Sequence, residues 1–171
     1  MIQVLEVEHH EHVSRHSFEE VMHAFYQATG SIEEGFGQVA KTAHSAEDFE
    51  RIFKDREGSS GFMRFDVIDH GRWLATIGQK AKSVMVVLGN PLIARTMLRH
   101  DVGAGLNVPV RIFIYQHSDG KTRVAYDLPS TLMSNLPGED VAEAASKLDA
   151  KLVALAEHVS GVKADAKNCT D

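Results

Sequence analysis

The stretch Val84–Asp101, VMVVLGNPLIARTMLRHD, decides the fold. Five apolar residues, Val84 to Leu88, run into Gly89-Asn90-Pro91, and a helical pattern over Leu92 to His100 follows at once. An apolar run this short, bounded by turn residues, reads as a strand buried on both faces. Strand, glycine turn and helix is also the layout of many phosphate-binding turns. A phosphate cradle, however, needs several inward N–H groups, usually from repeated glycines, with a lysine or arginine nearby. Here one glycine precedes a proline, which has no N–H. The structural reading is direct: Gly89 allows the turn, Asn90 caps the helix and Pro91 occupies its first position. Any ligand at this turn is expected to meet Asn90 and the free N–H groups of the helix.

Upstream, Ile2, Val4, Glu6, Glu8, His10 and His12 share one parity and Leu5, Val7 and Val13 the other, which predicts a strand over Ile2 to Arg15 with one wet face. Ser17-Phe-Glu-Glu20 has the form of a capping box opening a helix with an apolar stripe of Phe18, Val21, Met22, Phe25 and Thr29, ended by Gly30. Residues 31–61 read as a helical insertion, with one short helix around Phe36 and Val39 and a second capped by Ser45. Phe62 to Ile68 is a second strand, and Asp69 to Gln79 a short helix weakened by Gly71.

Downstream, Val110 to Tyr115 alternates as a strand, Asp119-Gly120 makes a tight turn, and Thr122 to Leu128 returns antiparallel. Tyr115 and Tyr126, on these paired strands, are candidates to converge on one face. Pro129 to Gly138 is expected as a loop. The last helix begins near Glu139, acidic at its positive end, and its apolar residues Val141, Ala145, Leu148, Leu152, Leu155 and Val159 step 4-3-4-3-4 as a narrow seam. The expected domain runs from 1 to 161 with a flexible tail at 162–171. Its fold is α+β: a mixed, largely antiparallel five-stranded sheet covered mainly on one face by helices.

Eighteen Lys and Arg against 24 Asp and Glu give a formal charge of −6, a field that repels phosphate backbones, so nucleic acid is excluded as the expected partner. No apolar run approaches the roughly 20 residues that span a bilayer. The N-terminus lacks the basic region and apolar core of a signal peptide, and the lone Cys169 has no internal disulfide partner. A cytoplasmic protein is expected.

Residues 89–129, GNPLIARTMLRHDVGAGLNVPVRIFIYQHSDGKTRVAYDLP, resemble the signature of the bacterial and archaeal family called domain of unknown function 302. Its elements here are Gly89-Asn90-Pro91, the turn Gly105-Leu106-Asn107-Val108-Pro109, the late-strand aromatic Tyr115, and Ile68-Asp69 upstream. The resemblance implies a curved sheet crossed by a long C-terminal helix, similar to the TATA-box-binding-protein-like arrangement and often dimeric. It implies no reaction.

Three constellations are candidates for chemistry. His10 and His12 project from one face of a strand about 7 Å apart, and with His16 form a candidate zinc or haem-iron set; the bland alternative is a polar, solvated strand face. Asp69, His70, Arg72 and Trp73 combine an acid, an imidazole, a guanidinium and the one tryptophan in five residues, a make-up that suits a pocket rim; otherwise Asp69 caps the helix and Trp73 packs. Asn90 and Tyr115 complete the candidate ligand set. No G-x-S-x-G elbow occurs and no catalytic residue is assigned. The leading expectation is a homodimer that binds a small molecule or cofactor non-covalently. The competing ones are a histidine-based metal or haem protein and an interaction module whose helical seam is a subunit contact. A deep apolar pocket rimmed by Asp69 to Trp73 would favour the first.

Overall fold

The computed structural model describes residues 2–32 and 34–163; Cys169 and most of the expected tail lie outside them. Strand β1 (His9–Val13) is shorter than expected, because Ile2 and Val4 are each 95% exposed and have no neighbouring strand against which to alternate. Helix α1 (Phe18–Ala28) carries the predicted capping box: Ser17 Oγ accepts from Glu20 N at 3.3 Å and Ser17 N donates to Glu20 Oε2 at 2.8 Å. Two free donors of the first turn are thereby satisfied together.

The five-strand expectation is corrected to six. Gly30–Ser31 forms β2, a two-residue strand parallel to β3 (Met63–Asp69). It is possible because Gly30 has no side chain: a Cβ there would overlap the Arg56 carbonyl. The insertion folds as α2 (Phe36–Ala40) and α3 (Ala46–Lys54), the latter capped by Ser45, which accepts from Asp48 N at 3.0 Å. There follow α4 (His70–Thr76), β4 (Ser83–Gly89), α5 (Pro91–Leu98), a 3-10 turn at Val102–Leu106, β5 (Val110–Gln116) and β6 (Thr122–Asp127). The expected loop after β6 opens with a one-turn helix, α6 (Pro129–Leu132), and α7 (Glu139–Ser160) follows, closed by Gly161 in the left-handed conformation. Within the described residues no helix is long and apolar enough to cross a membrane.

The sheet order is β1-β6-β5-β4-β3-β2, antiparallel except for β2–β3. Helices α1 and α7 cover one face, where Val84, Val86, Ile112, Ile114 and Val124 are buried. On the other face Met85, Val87, Phe113 and Tyr115 are only half-buried. Strand β4 is therefore not buried on both faces. Its unbroken apolar run reflects an apolar open face, not a second covering layer.

Two further expectations change. Phe113 pairs with Ala125 and Tyr115 with Arg123 on the open face, whereas Tyr126 shares the covered face with Val124, so Tyr115 and Tyr126 point to opposite sides. The predicted α7 seam is real, but Val141, Ala145, Leu148, Leu152, Leu155 and Val159 are all buried within this chain. That removes the reading of the seam as a subunit contact. A second cluster, Ile32, Val39, Ile52, Phe53 and Met63, gives the α2–α3 insertion a core of its own.

Candidate functional site

At the Gly89-Asn90-Pro91 turn the α5 N-terminus is closed to ligands. Asn90 Oδ1 accepts from Leu92 N at 2.9 Å, while Ile93 N and Ala94 N donate to Asn90 O at 3.0 and 2.9 Å. Pro91 has no N–H. The expected free donors are thus already used. Asn90 is 4% exposed, and its amide also donates to Glu57 Oε2 at 2.6 Å and Gly61 O at 2.8 Å, tying the turn to the end of the insertion. Gly89 is required by close approach, since a Cβ would stand 3.2 Å from both Phe65 Cε2 and Pro109 Cβ.

The same turn borders a groove of about 520 Å³, within the usual size range for small-molecule sites. Phe36, Phe49 and Phe65 line one part of it, Ile93, Met97 and Leu98 of α5 another, and the cis Val108–Pro109 bond a third. The polar residues of the lining are Asn90, Arg95 and Arg99. It holds no acid, imidazole, hydroxyl or thiol, so this surface can bind but has no group for nucleophilic or proton-transfer catalysis. The groove is apolar but open to solvent, and Asn90 rather than Asp69 to Trp73 borders it.

Asp69, His70, Arg72 and Trp73 sit instead where α4 meets the open face. Asp69 caps α4, accepting from Arg72 N at 2.8 Å. Trp73 Nε1 donates to His70 Nδ1 at 3.1 Å, and the indole is 49% exposed. From His70 a row of rings runs along β5 and just past its end: His70 to Phe113 at 6.1 Å between centroids, Phe113 to Tyr115 at 4.9 Å and Tyr115 to His117 at 6.4 Å. The structure thus brings His70, Trp73 and Tyr115 onto one surface and leaves Asn90 in the groove. The Tyr115 hydroxyl donates to Glu11, which also accepts from Arg123 Nη1 at 3.0 Å. Burial and the Glu11 carboxylate hold its pKa above the ordinary phenol value.

His10 and His12 do share a face of β1, but that face turns inward. His12 is 5% exposed and stacks on Tyr126 at 5.7 Å. Its Nε2 lies 3.0 Å from the Tyr126 hydroxyl, and His10 Nδ1 approaches the same oxygen at 3.3 Å, while His10 Nε2 pairs with Glu8 at 2.9 Å. His16 instead adjoins Gly161. Among the described residues no three metal-ligating side chains gather. The expected His10, His12 and His16 set is therefore not assembled, and the strand face expected to be wet is a hydrogen-bonded part of the interior. Burial lowers the His12 pKa and raises that of Tyr126.

The reading of single segments missed Phe36, Phe49, Phe65, Arg95 and Arg99 as neighbours, because each belongs to a local pattern complete without the others. The one available signal was that Phe36 and Phe49 give a short insertion more aromatic surface than its own small core can enclose. Phe36 is 41% exposed.

A family model described as domain of unknown function DUF302 matches residues 38–159. The crystal structure of an uncharacterized conserved protein DUF302 from Bacillus stearothermophilus aligns with a TM-score of 0.63 over 88% of this chain and 97% of that one, at 16% identity. At that identity the likeness concerns the fold. No curated protein matches the sequence.

Proposed function

This chain belongs to the DUF302 family, and from that premise we propose that it binds a small, largely apolar molecule non-covalently in the groove beside Gly89-Asn90-Pro91. The family brings no reaction with it, so the reading rests on one observation: an apolar groove of about 520 Å³ built around the family's own turn. Its walls come from α2, α3, β3, α5 and the Val108–Pro109 segment, elements that also pack elsewhere. Little ordering cost then falls on the ligand. The implied TATA-box-binding-protein-like arrangement belongs to the same proposal, supported by the 22-residue α7 packed along an antiparallel sheet.

The test uses Nile red, an uncharged dye whose emission shifts to the blue in apolar surroundings. The wild-type protein should give a saturable shift with one dye per chain. Ala94→Trp and Leu98→Trp, which fill the groove, should abolish it while keeping the wild-type circular dichroism spectrum. Folded, blocked variants that bind the dye as well as wild type would show that the groove is not the site.

Self-association through the open sheet face is a second reading, favoured by the half-buried row of Phe113 and Tyr115 beside exposed Trp73.

A further inference from the structure

Three polar side chains reach the lining of the groove, and they differ in what they have left to offer. Asn90 is fully used: its oxygen caps α5 and its amide holds Glu57 and Gly61. Arg95 is matched in charge, because Nη2 donates to Glu50 Oε2 at 3.0 Å across the α3–α5 contact. Arg99 is neither. Its Nε donates to His100 Nε2 at 3.0 Å, a ring rather than a carboxylate, whose Nδ1 faces Asp140 Oδ2 at 3.5 Å. The terminal nitrogens of Arg99 have no protein partner among the described residues.

Arg99 lies at the C-terminal cap of α5, where a cation complements the helix dipole. That accounts for a positive charge at this position, and a lysine or an arginine anywhere around the last turn would supply it. It does not account for the rim of an apolar groove carrying a guanidinium whose forked end is open, in a lining without a single carboxylate. A guanidinium in that state matches a planar oxyanion through two parallel hydrogen bonds.

We propose that the groove takes an amphipathic monocarboxylate, its apolar body against Phe36, Phe49 and Phe65 and its carboxylate on Arg99. One unmatched guanidinium balances one unit of negative charge, which favours a carboxylate over a doubly charged phosphate monoester. This inference rests on the binding reading above and adds to it the class of ligand and the residue that selects it.

Displacement of Nile red by dodecanoate and by dodecan-1-ol, both below their aggregation limits, tests it. The two share a chain and differ in the charged head. Wild type should be emptied by dodecanoate at a concentration roughly tenfold or more below that of dodecanol, the usual effect of a charge-assisted bidentate contact. Arg99→Gln should erase the difference by weakening dodecanoate alone, and 0.5 M sodium chloride should narrow it. Arg95→Gln should change the ratio less, since that charge is already matched by Glu50. Equal displacement by acid and alcohol, or a ratio that survives Arg99→Gln, overturns the carboxylate while leaving the apolar site standing. Failure of the dye itself to bind wild type removes the site and the inference with it.

Discussion

At the scale of a single residue, His12 shows how position overrides type. A histidine on a terminal strand is ordinarily solvated, yet this ring lies between β6 and the end of α7. Burial is the main cause of its lowered pKa, helped by the neighbouring His10 and opposed by the Val162 backbone and Glu157. The ring stacks on Tyr126 and its Nε2 lies 3.0 Å from that hydroxyl, away from the water that would solvate an imidazolium. The unfolded chain binds the proton near the ordinary value of 6.5 and the folded protein only at lower pH. His12 therefore contributes full stability above about pH 6.5, loses it as the pH falls toward the folded value, and loses nothing further below that. The exposed carboxylates Glu19, Glu20, Asp48 and Glu143 have lowered values, so their contributions are lost only in the more acid carboxylate range. Thermal melts from pH 7.5 to 5.0 should show a falling midpoint in wild type and a flatter one in His12→Gln, which keeps a hydrogen-bonding side chain but cannot titrate. Parallel slopes would mean that another group governs this window.

At the scale of elements, the insertion and α1 make a useful contrast. Phe53 is fully buried and packs, with tilted rings, against Phe49 at 4.6 Å and Phe36 at 5.6 Å, so it belongs to the small core and backs the two rings that line the groove. Phe53→Ala should cost about 3 to 5 kcal/mol in urea unfolding and also weaken Nile red binding. Ser17→Ala, which removes a cap far from the groove in sequence and in contact, should cost about 1 kcal/mol and leave dye binding unchanged. Equal effects of the two on dye binding would mean that the dye reports overall stability. The Ser17, Ser45 and Asn90 caps and the Asp119-Gly120 turn were legible in the sequence because each is a local bargain between a side chain and the next few N–H groups. Strand β2 was not, since two residues have no period and its parallel partner lies more than thirty positions away. The inward turn of His10 and His12 was hidden for a related reason: alternation shows that they share a face, but only Tyr126 of β6 determines which face is inside. The groove was least legible, being an assembly of segments from Phe36 to Leu148.

At the scale of the whole molecule, the open sheet face is a row of half-buried apolar side chains that no helix covers. The α7 seam is closed within the chain, so association between copies has to use another surface. The candidate is the strip of Met85, Val87, Phe113 and Tyr115, bordered by the His9–Asp127 pair at 2.7 Å and the Glu11–Arg123 pair at 3.0 Å. Apolar surface rimmed by charges commonly marks an interface, and a two-fold dimer places the same patch on itself, so one substitution acts twice. Arg111, paired with Val87 in register, and Asp66, paired with Val87 from the other side, give that patch one exposed charge of each sign. Opposite charges flanking an apolar strip are what a self-complementary contact can use when one copy is turned against the other. Native mass spectrometry and light scattering at micromolar concentration should then give twice the mass of one chain. Phe113→Glu should halve it without changing the circular dichroism spectrum, and Nile red should still bind, because none of Met85, Val87, Phe113 and Tyr115 lines the groove. Wild-type protein that stays monomeric at tens of micromolar would leave the open face solvated and end the dimer reading, while the groove and its ligand would stand or fall on the dye alone.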